Sequence, residues 1–170
     1  YAVYYNNPDA AAVHHKWKKQ VGGLYLETRD ASPYRKYNGN VYSYAHMSGV
    51  LSSCTVKQGR KLWPRINDTH NPFGDDDRYI GIYTGDLFCP ETGNYGFATN
   101  SDDASFLLIN NQLVAQWPGG HVPSSTWEHE DNKPGTITLK RGIHKITYYH
   151  IESYGGQLAR AGWKKPSDKY

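Results

Sequence analysis

Asn94-Tyr95-Gly96-Phe97-Ala98-Thr99, Asn100-Ser101-Asp102-Asp103-Ala104 and Ser105-Phe106-Leu107-Leu108-Ile109-Asn110-Asn111 form one continuous stretch, and the reading of the chain turns on it. Its first part alternates small or polar residues with aromatic ones, the period of a strand buried on one face. Its last part is an apolar core strand closed by Asn-Asn, residues that tolerate positive φ in a tight hairpin turn. Between the two stand adjacent carboxylates. Neighbouring side chains of a regular strand point to opposite faces, so Asp102 and Asp103 can serve one ligand only if the backbone there is bent or cis. A hard divalent cation is the obvious ligand for a converging pair.

The pattern continues on both sides. Upstream, Tyr79 to Leu87 reads as a strand, with Cys89-Pro90-Glu91-Thr92-Gly93 as the following turn. Downstream, Leu113 to Trp117 is the return strand of the Asn110-Asn111 hairpin. A long loop from Pro118 to Pro134 leads to strands at Gly135–Leu139 and His144–Glu152, flanking Lys140-Arg141-Gly142. Ser153-Tyr154-Gly155-Gly156-Gln157 interrupts, and Leu158 to Trp163 makes a last strand. At least seven strands at hairpin spacing, with no sustained helix and no internal repeat, predict an all-β, antiparallel β-sandwich.

The first half is less patterned. Asp9 to Gln20 fits a short helix, with Asp9 as N-cap and Gly22-Gly23 as the stop. Leu24–Leu26 and Val41–Tyr44 read as short strands, and the tyrosines at 34, 37, 42 and 44 as edge packing. Residues 51–78 read as loop-dominated, broken by Trp63-Pro64, Asn71-Pro72 and Phe73-Gly74. The acidic run Asp75-Asp76-Asp77 is read as a solvated turn in preference to a second calcium site.

With 170 residues the chain has the length of one domain, 1–170, and its start at Tyr1 is read as that of a segment excised from a larger extracellular protein. Fifteen Tyr and five Trp supply large burial payloads, which excludes a disordered chain. The net charge is +3 and the cations are scattered; the run His14-His15-Lys16-Trp17-Lys18-Lys19 is read as a solvated face, so neither nucleic acid nor membrane insertion is expected. Cys54 and Cys89 lie in no Cys-x-x-Cys pair. They are read as a disulfide in an oxidising compartment, with two unrelated buried thiols as the alternative. No Gly-x-Ser-x-Gly elbow, His-Glu-x-x-His or phosphate-binding glycine loop is present, so the chain is not expected to be an enzyme.

In its C-terminal ninety residues the chain resembles the PA14 domain family, the β-sandwich module of toxins, glycosidases and fungal and bacterial adhesins. The matching pieces are Gly85-Asp86-Leu87, Glu91 to Phe97, Ser101-Asp102-Asp103-Ala104-Ser105, Leu108-Ile109-Asn110-Asn111, Ile137-Thr138-Leu139, Gly142 to Ile146, Tyr149, and Ala161 to Pro166. One departure is Ala104, where family members often carry Gly after the Asp pair. The resemblance implies a calcium-dependent carbohydrate-binding module of lectin or adhesin type, in which Ca²⁺ held by an adjacent Asp pair binds vicinal hydroxyls of a terminal sugar. It equally admits a structural or protein-interaction module of a toxin, S-layer or glycosidase accessory kind, without glycan binding.

On the lectin reading the ion is held by Asp102 and Asp103 together with the loop Gly155, Gly156 and Gln157. Its two glycines permit close backbone approach and its Gln supplies an amide oxygen. The rings expected to wall the sugar are Trp117, His121, Trp127 and Tyr154, with core packing as the other reading of Trp117. The rival reading of the Asp pair is a capped turn whose carboxylates accept backbone N–H bonds.

Overall fold

The computed structural model describes residues 23–37, 41–127 and 132–168, and of residues 35–37 only the backbone. The helix expected over Asp9 to Gln20 and the basic run at 14–19 lie outside these residues. The described chain forms ten strands: β1 (Leu24–Asp30), β2 (Lys57–Trp63), β3 (Asn67–Asp68), β4 (Tyr79–Cys89), β5 (Gly93–Asp102), β6 (Ser105–Ile109), β7 (Gln112–Trp117), β8 (Gly135–Leu139), β9 (Gly142–Glu152) and β10 (Leu158–Lys164). A short 3-10 helix (Ser32–Tyr37) and one α-helix, α1 (Tyr44–Ser53), lie between β1 and β2. The strands pair antiparallel in a six-stranded sheet ordered β2-β1-β4-β9-β6-β7 and a four-stranded sheet ordered β3-β10-β5-β8. This is the expected antiparallel sandwich, and Asn110 and Asn111, at φ 51° and 65°, make the expected hairpin turn.

Alternation along each strand builds two cores. Leu26, Tyr83, Leu107 and Tyr148 of the large sheet meet Tyr95, Phe97, Leu139 and Ala159 of the small one, filling the sandwich. The opposite side chains of the large sheet, among them Ile80, Ile82, Phe106, Leu108 and Ile151, pack under Val41, Met47, Val50 and Cys54. Residues before and within α1 therefore form a third layer on the outer face of the large sheet.

That layer corrects the reading of Val41–Tyr44 as a strand. Ser43 is the N-cap of α1, its hydroxyl accepting the His46 N–H at 3.1 Å, and Met47 and Val50 then fall on one helical face and are fully buried. Tyr44 packs against Phe106 and Tyr149 beneath that layer. Residues 57–63, read as loop, form an edge strand. Their Lys, Arg and Gln side chains hide the period, because one edge of β2 pairs with β1 and no strand among the described residues pairs with the other.

The disulfide reading is also corrected. Both thiols are free and buried, Cys54 in the layer under α1 and Cys89 in the sandwich core, with the large sheet between them. Burial raises both thiol pKa values above the ordinary range, so neither is a reactive thiolate.

Candidate metal and ligand site

Asp102 ends β5 and Glu152 ends β9, so the two sheets deliver their last side chains to the same end of the sandwich. The peptide bond between Asp102 and Asp103 is cis. One carboxylate oxygen each from Asp102, Asp103 and Glu152 lie within 4.8 Å of one another. Asp102 and Glu152 are 8 % and 1 % exposed, which makes this a nearly dry cluster of acids.

Backbone amides orient one member. Asp103 accepts the His121 N–H through Oδ1 at 3.2 Å and the Ser153 N–H through Oδ2 at 3.0 Å. The Asp103 N–H donates to the Ile151 carbonyl and the Ile151 N–H to the Ala104 carbonyl, which ties the Asp pair to the end of β9. Ala104 is fully buried in the layer under α1, so this departure from glycine is accommodated by packing. Beneath the pair, the buried His150 imidazole donates from Nε2 to the Asp102 carbonyl at 2.7 Å. Its pKa falls to about 4 because burial penalises the imidazolium, which leaves the ring neutral.

Glu152 has no such support. Neither of its carboxylate oxygens has a hydrogen-bond partner among the described residues. Burial first, and then the charges of Asp103, Asp102 and Asp77, push its pKa up to about 9, little offset by the Ser153 amide that serves Asp103. Asp102 rises to about 6 through burial and the charge of Asp103, and burial also raises Asp103 despite its two N–H bonds. Three acids pressed together, with no ion pair to any of them among the described residues, each favour the proton. A divalent cation with oxygen preference meets the demand these groups share.

The loop of residues 155–157 lies against the Asp pair. Gly155 takes φ +101°, a conformation side-chain-bearing residues rarely adopt, and its N–H donates to Asp77 Oδ1 at 3.2 Å. A Cβ on Gly156 would stand 3.1 Å from Asp102 Oδ2, so a bare backbone lies directly against that carboxylate. Gln157 donates from Nε2 to the Gly155 carbonyl at 3.0 Å, leaving its amide oxygen as the side chain's ligating atom. The acidic run resolves into a turn. Asp76 Oδ1 accepts the Asn71 N–H at 2.6 Å, and Asp77 braces the glycine loop.

The expected rings divide. Tyr154, in the loop itself, is 55 % exposed, with the Arg78 guanidinium 4.6 Å from its ring centroid. His121 lies beside Asp103 through its backbone, and its ring stacks on Trp117 at 3.9 Å between centroids. Trp117 itself is 1 % exposed, so its place as a ligand wall is corrected: it supports His121 from within. Trp127 covers Gly162 on the four-stranded sheet. Gly162 pairs with Ala98, four positions from Asp102, roughly 13 Å at the rise of a strand. The structure thus does not bring Trp127 to the carboxylates.

The sequence reading missed Glu152. Its signal was there: Tyr148, His150 and Glu152 share the inward face of β9, and a carboxylate on a buried strand face requires a partner.

The family described as the PA14 domain matches residues 30–170. No curated protein matches the chain in sequence. Among solved structures, the chain is similar to a "PA14 sugar-binding domain from RTX adhesin" (18 % identity, TM-score 0.66, covering 88 % of this chain and 93 % of that one). It is similar to the epithelial adhesin 9 A domain of Candida glabrata in complex with Galβ1-3GlcNAc (12 % identity, TM-score 0.59, covering 88 % and 84 %). It also resembles an anti-sigma factor domain-containing protein (18 % identity, TM-score 0.63); there it covers 87 % of its own length and spans only 44 % of the other chain.

Proposed function

The chain belongs to the PA14 domain family, and from that premise we propose that it is an extracellular, non-enzymatic carbohydrate-binding module whose ligand is held through Ca²⁺. The observation that carries this reading is the cluster of Asp102, Asp103 and Glu152, with two buried, unpartnered carboxylate oxygens on Glu152. A structural turn cap would satisfy its carboxylates with N–H groups, as Asp103 does; Glu152 is left unsatisfied in a way that a cation would correct. The donor set is all oxygen, which suits calcium and not the softer metals.

In this reading Asp102, Asp103 and Glu152 hold the ion from the strand ends. Gly155, Gly156 and Gln157 supply further oxygen from the facing loop. Bound calcium supplies coordination positions for two vicinal hydroxyls of a terminal sugar. Tyr154 offers an exposed ring for the sugar's apolar face, and Arg78 steadies that ring. His121 and Ser153 fix the angle of Asp103, so the site is organised by backbone before any ligand arrives.

The test is a thermal melt with calcium and with chelator, followed by a glycan screen under both conditions. Calcium should raise the melting temperature and be required for sugar binding, and Asp103→Asn should abolish the calcium-linked stabilisation while leaving the fold intact. An unchanged melting temperature and no calcium-dependent sugar binding would refute the reading. Calcium stabilisation without any glycan bound would favour the structural or protein-interaction role.

A further inference from the structure

Among the described residues, the third layer covers only part of the outer face of the large sheet. Strand register places its outward side chains in rows: Lys57, Arg29, Ile80 and Ile151 in one, Arg60, Glu27, Ile82 and Tyr149 in the next, and Leu62, Tyr25, Thr84 and Thr147 in the third. Ile80 and Ile151 are sealed under the α1 layer, which stops at the partly buried Leu51. Beyond Leu51 the sheet opens into a depression of about 370 Å³, and Arg29, Lys57 and Arg60 all line it.

These cations are held in place and not fully neutralised. Glu27 binds Arg29 Nε through Oε1 at 2.7 Å and Lys57 Nζ through Oε2 at 2.8 Å, which uses both of its oxygens. Arg29 also donates from Nη1 to the Cys54 carbonyl at 3.4 Å. The Arg60 guanidinium lies 4.0 Å from the Tyr25 ring centroid, and no hydrogen bond or ion pair engages it among the described residues. Among the described residues that line the depression, three cations stand against one carboxylate, an excess of two positive charges. A pinned arginine and a stacked one present their N–H groups with little conformational freedom left to lose, the arrangement that favours a planar or tetrahedral oxyanion.

The surroundings favour a sugar as the bearer of that anion. Tyr25 is 46 % exposed, and a second depression of about 350 Å³, whose lining includes Tyr25, Thr84, Thr147 and the Lys145–Asp86 ion pair, shares Thr84 with the first. It offers one ring edge and two hydroxyls beside the cations. The uncompensated charge is confined to one spot, unlike the extended track of phosphate contacts a nucleic acid requires.

We propose that the open outer face of the six-stranded sheet is a second binding site, in which Arg60, Lys57 and Arg29 take the sulfate or carboxylate of an acidic saccharide without a metal ion. It lies on another sheet from the carboxylate cluster and does not depend on it.

The experiment measures binding of dextran sulfate and of uncharged dextran to the whole domain in EDTA at moderate salt. Dextran sulfate should bind and dextran should not. Arg60→Ala, at an exposed position, should weaken binding at least tenfold and Lys57→Ala several-fold, whereas Lys140→Ala, an exposed cation elsewhere, should change it less than twofold. Asp103→Asn should leave it unchanged, which separates this site from the calcium site. Equal losses at Lys140 and Arg60 would reduce the effect to net charge and overturn the proposal, as would failure to bind dextran sulfate at all. An oligothymidylate binding as tightly, with the same dependence on Arg60, would overturn the assignment to a saccharide. Thermal melts of each variant confirm that any loss arises in the folded protein.

Discussion

Replacing Glu152 by Gln should stabilise the metal-free domain and at the same time weaken its response to calcium. In the unfolded chain this carboxyl ionises near 4.5, whereas in the folded, metal-free protein it ionises near 9. Between those values the folded state keeps a proton that the unfolded state has released. Stability is therefore highest below pH 4.5 and falls as pH rises, by up to about 1.4 kcal/mol per pH unit. At pH 7 the accumulated cost is about 3 kcal/mol by the same linkage. Gln carries no proton to retain, so Glu152→Gln escapes that cost, and for a domain of this size the melting temperature should rise by about 6–12 °C in EDTA.

The assay is a set of melts of wild type and variant in EDTA from pH 4.5 to 9, repeated with saturating calcium. The two curves in EDTA should converge at the acid end and diverge toward the alkaline end. With calcium the order should reverse or the gap should close, because the wild type gains RT ln(1 + [Ca²⁺]/Kd) and the variant has lost a ligand. Parallel curves in EDTA, or a variant less stable than wild type at pH 8, would refute the placing of Glu152 as a buried acid without a partner.

Two further outcomes follow from the same geometry. Gly156→Ala should weaken calcium at least tenfold with little effect on the metal-free melt: the residue is exposed, and only its approach to Asp102 Oδ2 at 3.1 Å resists a methyl group. Cys54 and Cys89 should react with a thiol reagent only at the rate of unfolding, and reductant should leave the melting temperature unchanged; a reductant-sensitive melt would mean that the two thiols are bonded.

Several elements were legible because their local pattern and their tertiary role agree. The alternation of Asn94 to Thr99, the apolar Ser105 to Ile109 and the positive-φ turn at Asn110-Asn111 each specify their conformation within a few residues, and each formed as expected. α1 and β2 were not legible in this way. Val41–Tyr44 alternates like a strand, yet Ser43 caps a helix, because Met47 and Val50 find an apolar sheet face that only the assembled strands create. β2 is polar along most of its length, and its conformation is decided by pairing with β1 rather than by its own residues.

The site divides along the same line. Local residue pattern is enough to read two adjacent carboxylates ahead of a core strand and a Gly-Gly-Gln loop some fifty residues later; that the loop faces the pair is what the resemblance to the PA14 domain implies. It takes the assembled strands to bring Glu152 to the cluster, to bury Trp117 while Tyr154 stays exposed, and to gather Arg29, Lys57 and Arg60 on one face. The reason is physical: burial and convergence of charge depend on which strands become neighbours, and that pairing joins residues far apart in the chain.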